Sequence, residues 1–214
     1  ALEREWQLGG LACDLAVLRD LQPALRKGQW KATVAVHDGK QIIAVWPGFH
    51  DRAFGMAVDV GSTTVAAHLC NLATGELVAA AGIMNPQIRF GEDLMSRVSY
   101  AMMNPGGALA MTDAIRGALS ALAVDLARAA KIEPVDILEL SLVGNPIMHH
   151  LVLGIDPVEL GGAPFALAVD HSLTLRASSL GIAVHPDARI YVLPCIAGHV
   201  GADAAAALLA EGVD

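Results

Sequence analysis

Apolar and polar positions change rhythm several times along the chain. Leu15, Leu18, Leu21 and Leu25 recur at three- and four-residue steps, which predicts a helix, and Pro23 predicts a bend or break in it. "KATVAVHDGKQIIAVWPG" then reads as two strands around a His37–Asp38–Gly39 turn, ended by Pro47–Gly48. Residues 49–55 read as a linker. Residues 1–54 are thus expected to form a small α+β linker module, a helix plus a β-hairpin.

A second pattern starts at Met56. "GMAVDV", "TVAAHLCNL" and "LVAAAGIMN" are three apolar runs joined by the tight turns Gly-Ser-Thr-Thr and Ala-Thr-Gly-Glu. Connections this short predict antiparallel strands. "GEDLMSRVSYAMM" reads as a helix stopped by Asn104–Pro105–Gly106–Gly107. A long helix follows from about Leu109 to Ala130, with Ile115, Leu119, Leu122 and Leu126 on one stripe. "ILELSLVG" is a predicted strand and "NPIMHHLVLG" a short helix. Residues 156–188 are irregular, with a strand around Leu173–Leu175. "RIYVLP" is a strand and "GADAAAALLAEG" a helix. The order β-β-β-α-α-β-α, a gap, then β-α predicts an α/β fold: a mixed sheet covered by helices over residues 55–214.

Composition narrows the possible functions. Of 214 residues, 54% are hydrophobic and only 17% charged, enough for a sizeable core and too apolar for disorder. Aromatics are 4%, so Ala, Val, Leu and Ile carry the packing. A net charge of −8 without a basic run argues against nucleic acid or an anionic membrane as partner. No apolar stretch is expected to reach the roughly 20 residues that span a bilayer. Cys13, Cys70 and Cys195 are widely spaced and form no metal-ligand motif, which fits a reducing cytoplasm. The missing initial methionine and the stop after a helix-like segment suggest a fragment of something longer.

Four stretches could carry chemistry. In "MAVDVGSTTVAAHLC", Gly61 allows close backbone approach, and Ser62, Thr63 and Thr64 add hydroxyl donors. Asp59, at a strand end, could face a Mg²⁺ water shell beside a phosphate. The bland reading is a hairpin with a polar tip. In "NPQIRFGEDLMSR", Asp93 and Arg97 are four apart and read as a surface ion pair on one helical face. In "LVGNPIMHHLVLGIDP", Asn145 leaves a strand end, the usual place for a ligand contact in an α/β sheet. His149 and His150 diverge on a helix, and each reads as a satisfied core or surface histidine. In "CIAGHVGADAAAALLA", Gly198 and Gly201 precede a helix N-terminus that could take an anion, while Asp203 reads as a first-turn acid steadying the helix. Cys195 reads as a buried small hydrophobe.

These stretches in this order resemble the C-terminal ATPase region of the reductive activators of corrinoid proteins. "AVDVGSTTVAAHL", "NPQIRFGEDLMSRVSYA", "GNPIMHHLVLGIDPVEL" with "APF" after it, and "GHVGADAAAALLA" carry the resemblance over residues 56–210. "TVAVHDGKQIIAVWPG" resembles the small domain that precedes that region. The resemblance implies the acetate and sugar kinase, chaperone and actin superfamily, and hence a ribonuclease H-like, actin-like ATPase lobe. It implies that ATP and Mg²⁺ are cofactors and that Asp59 is catalytic and faces the metal. Gly61, Ser62, Thr63 and Thr64 would form the first phosphate motif, with Asn145, Gly198 and Gly201 as further cofactor contacts. The parent protein would carry a [2Fe–2S] cluster outside this chain and reduce Co(II) to Co(I) on a corrinoid methyl-transfer protein, its partner; a homodimer is left open. The second lobe with its own phosphate loop is absent from these residues, so the fragment alone is expected to be inactive and to bind Mg-ATP poorly. Two alternatives stand beside this. One is a small-metabolite kinase of the same superfamily, with Asp93 as its candidate base. The other is a non-catalytic binding module.

Overall fold

The structure is a computed structural model and describes residues 2–212. The chain divides into two compact units, Ala1–Ala53 and Phe54–Asp214.

In the first unit, α1 (Leu2–Trp6) and β1 (Ala12–Cys13) precede α2 (Leu15–Lys27), β2 (Ala32–His37) and β3 (Gln41–Pro47). Asp38 and Gly39 both have positive φ, 52° and 63°, the geometry of a two-residue hairpin turn matched to strand twist. β1 adds to β3 in parallel, giving the order β1-β3-β2. Two expectations are corrected here. Pro23 neither ends nor breaks α2, which runs through it. Nor are Leu15 and Leu18 on the buried stripe; both are exposed, and Val17 and Ala24 face the core instead. Pro23 lies on the solvent side, where water can serve the carbonyl left without its N–H partner.

The second unit is built on a six-stranded sheet. Its strands are β4 (Phe54–Val60), β5 (Thr64–Asn71), β6 (Leu77–Met84), β7 (Ile137–Gly144), β8 (Leu173–Arg176) and β9 (Arg189–Val192). The order is β6-β5-β4-β7-β9-β8. β4, β5 and β6 form the antiparallel meander. β4–β7 and β7–β9 are parallel, and β8 returns antiparallel. The parallel pairs need crossovers. The first is made by α3 (Leu94–Met103) and α4 (Gly107–Ala130), and α5 (Pro146–Leu153) leads into the second. A short α6 (Ala177–Leu180) and a final α7 (Ala202–Ala210) complete the unit.

Alternation along β4 decides what faces where. Met56, Val58 and Val60 point into the core, while Ala57 and Asp59 are exposed on the other face. Met111, Ile115, Leu119, Leu122 and Leu126 of α4 fill the core side together with Met148 and Leu151 of α5. By length and composition α4 could cross a membrane, contrary to the expectation that no stretch reaches that length. Its apolar stripe is instead buried in this core. α7 packs toward β7 on the opposite face, where Ala206 and Leu209 share a cleft of about 520 Å³ with Asp59, His68, Ser141 and Val143.

Candidate nucleotide site

β4 and β5 close a four-residue loop, with Val60 paired to Val65 across it. The loop is Gly61, Ser62, Thr63 and, opening β5, Thr64. A Cβ on Gly61 would lie 2.5 Å from the Thr64 carbonyl oxygen, so the turn requires glycine. Three successive carbonyls of this loop are held from below. The Asn85 side-chain amide donates to Gly61 O at 2.8 Å, and the Asn85 backbone N–H donates to Thr63 O at 2.8 Å. The guanidinium of Arg97 donates to Ser62 O. In a trans peptide unit the C=O and N–H point in opposite directions. Drawing the Gly61 and Ser62 carbonyls inward therefore turns the Ser62 and Thr63 N–H groups outward. Neither N–H has a hydrogen-bond partner among the described residues. Consecutive free amides make an anion-binding concavity, and the hydroxyls of Ser62 and Thr63 stand beside it.

The neighbouring strand end supplies a second wall. Asp59 is in register with Val143, and Val60 with Gly144. Asn145 follows directly and caps α5, its Oδ1 accepting from Met148 N–H at 3.1 Å, with Pro146 in the first helical position. Gly201, which starts α7, presses on this junction. A Cβ there would lie 2.5 Å from both Asn145 Cα and Gly144 O. Asp203, the second residue of α7, lies in its first turn and accepts from Ala204 N–H at 2.9 Å. Its charge acts on Asp59, whose carboxyl is raised above the usual range, first by partial burial and then by repulsion from Asp203. Two hard oxygen donors that repel each other suit a divalent cation, and Mg²⁺ needs only one or two carboxylates because it keeps several waters. Among the described residues no three His, Cys, Asp or Glu side chains cluster to form a fuller metal cage.

The structure thus brings together Asp59, Gly61, Ser62, Thr63, Thr64, Asn145 and Gly201. Gly198 takes a different place. It lies in the tight Ala197–Val200 turn, and a Cβ there would strike the Phe165 carbonyl. The "APF" stretch therefore packs on "GHVG", with Phe165 against the His199 ring at 4.2 Å.

Two sequence expectations change at this level. Asp93 and Arg97 do not form a surface ion pair. Asp93 caps α3, accepting from Ser96 N–H at 2.7 Å. Arg97 is fully buried and bonds Gly91 O, Ser62 O and the Met148 sulfur. His149 is not a satisfied histidine: it is buried with neither ring nitrogen hydrogen-bonded. Burial and then the neighbouring His150 push it down to about 4, so it is neutral at pH 7. His150 is satisfied. Its Nε2 accepts from Ala168 N–H at 3.0 Å, which leaves the proton on Nδ1 to donate to Pro146 O at 2.8 Å. Asn85 and Arg97 are the residues that sequence reasoning missed. Their one signal was position, just after the third strand and on the next helix, within the stretch that carries the resemblance.

Comparison with known proteins places this geometry. Residues 54–214 match the family model described as the RACo middle region, and residues 1–52 match the RACo linker region. The chain belongs to the RACo family. A curated RACo-like relative, the corrinoid activation enzyme RamQ of Eubacterium limosum, is 32% identical over 198 residues, covering 92% of this chain and 33% of that protein. A solved structure titled reductive activator for corrinoid, iron–sulfur protein superposes with a TM-score of 0.87 at 30% identity, covering 99% of this chain and 34% of that one. The RACo fold here is the ribonuclease H-like, actin-type lobe. The chain spans about a third of the length of both relatives.

Proposed function

We propose that this chain is the nucleotide-holding part of an ATP-dependent reductive activator of a corrinoid protein. Residues 1–54 serve as the linker module and residues 55–214 as an ATPase lobe. Ser62 and Thr63 donate their free N–H groups to a phosphate, and Gly61 lets it approach. Thr64 supplies a hydroxyl at the loop's end. Asp59 holds Mg²⁺ through its water shell, with Asp203 across from it. Asn145 and Gly201 form the facing wall, and Gly198 sets the turn that carries Gly201. ATP, when bound, supplies the driving force for an uphill electron transfer. In the full-length activator a [2Fe–2S] centre outside these residues would supply the electron that reduces the substrate cobalt from Co(II) to Co(I). The full-length activator acts in the cytoplasm, with a corrinoid methyl-transfer protein as its partner.

The observation that carries this reading is the outward pair of amides beside Asp59, in a chain of the RACo family. The test is Asp59→Ala in the full-length protein, with ATP hydrolysis and the optical change of the corrinoid followed together. Losing a metal-facing carboxylate is expected to lower both rates by about 100-fold or more, by analogy with other electrostatic groups at phosphoryl-transfer sites. Unchanged hydrolysis would remove Asp59 and the loop from the mechanism.

A further inference from the structure

The fully buried Arg97 needs an account that a phosphate loop alone does not give. Among the described residues no carboxylate lies within ion-pair distance of it, and its three partners are two carbonyl oxygens and a thioether. Burial pulls its pKa below the usual arginine range, against the weaker opposing pull of Asp93. A desolvated cation without a counter-charge is costly, and carbonyl dipoles repay only part of that cost. Its link to the Ser62 carbonyl is the informative one. That carbonyl and the Thr63 N–H belong to one peptide unit and point opposite ways. The peptide is polarised by the guanidinium on one side, which strengthens its N–H as a donor on the other. The same guanidinium, with the Asn85 amide at 3.6 Å, also touches the Met148 sulfur. The loop is thereby fixed to α5, the helix that Asn145 caps.

We infer that Arg97 is a positioning residue whose buried positive charge is completed by a phosphate bound on the far side of the Ser62–Thr63 peptide. This rests on the phosphate-loop reading above and adds to it the source of the loop's anion preference. Arg97 never touches the ligand. It acts through the Ser62–Thr63 peptide, and Asn85 holds the peptides on either side in the same orientation.

The experiment has two parts. First, the full-length protein labelled with ¹⁵N is titrated with tripolyphosphate and, separately, with adenosine. Tripolyphosphate is expected to shift the Ser62 and Thr63 amide signals and the Arg97 Nε–H signal at one common midpoint; adenosine is expected to move none of them. Second, Mg-ATP affinity is measured for Arg97→Met and Arg97→Lys in the full-length protein. A loss of about 30-fold is expected for Met, which keeps the volume and removes the charge. Lys, which keeps a charge but cannot bond all three partners at once, is expected to recover only part of it. Immobile loop amides in the full-length protein would overturn the phosphate-loop reading, and this inference with it. Loop amides that shift while Arg97 Nε–H stays still would overturn this inference alone. So would a folded Arg97→Met protein with native affinity. Should Arg97→Met fail to fold, the native titration and the Lys variant still decide.

Discussion

Single residues in this protein are set by what lies across the fold from them. His149 shows this. Its folded pKa, about 4, lies below the ordinary 6.5 of a histidine. Between those values the unfolded chain binds a proton that the folded chain refuses. The contribution of neutral His149 to stability is therefore complete above pH 6.5 and is lost as pH falls toward 4. Thermal melts across this range should show the midpoint of His149→Leu falling less steeply than that of the native chain. His150, also lowered by burial, keeps some slope in both. Equal slopes would mean that His149 is hydrated in solution. Sequence could not reveal this state, because "HH" at helical positions offers no clue to which buried ring finds partners. Arg97 failed for the same reason. Asp93 four residues earlier made an ion pair the natural reading, and the carbonyl it serves lies 35 positions upstream.

At the scale of elements the sequence was far more legible. The α4 stripe of Ile115, Leu119, Leu122 and Leu126 is fully buried, as its spacing predicts, because a long periodic pattern has one way to meet a sheet. The hairpin at Asp38–Gly39 and the meander of β4, β5 and β6 follow from turn chemistry and alternation. Elements of a few residues, such as β1 and α6, went unseen: each is about one period long, too short for a pattern to repeat, and exists because of its neighbours. The β7–α5 junction and the start of α7 form a contact that only glycine permits. Gly201→Ala would place a methyl 2.5 Å from backbone atoms that cannot rotate aside. It should cost about 2 kcal/mol or more, read from denaturant midpoints, as overpacking against rigid backbone does. A stability unchanged within about 0.5 kcal/mol would show that α7 is free to shift.

At the scale of the whole molecule, the chain is two compact units that meet in sequence between Ala53 and Phe54. The connecting stretch contains Phe49, 87% exposed, and an exposed Arg52. Exposed connectors between packed units are where proteases act first. Limited trypsin digestion should cleave first after Arg52 and leave the second unit resistant; early cuts within α4 or β7 would contradict that division. The candidate site has a different geography. It draws on residues 59–64, on Asn85 and Arg97, on Asn145 and on Gly201, spread over most of the second unit. β4 pairs with β7 only after the whole of α3 and α4 has been made. A growing polypeptide on the ribosome therefore carries its first acid and glycine long before anything can hold them. Until α4, β7 and α5 have left the exit tunnel, Met56, Val58 and Val60 lack their finished surroundings and are open to chaperones or to misassociation. The candidate site is therefore complete only once the start of α7 has been made, although its loop is among the first parts of the second unit to be translated.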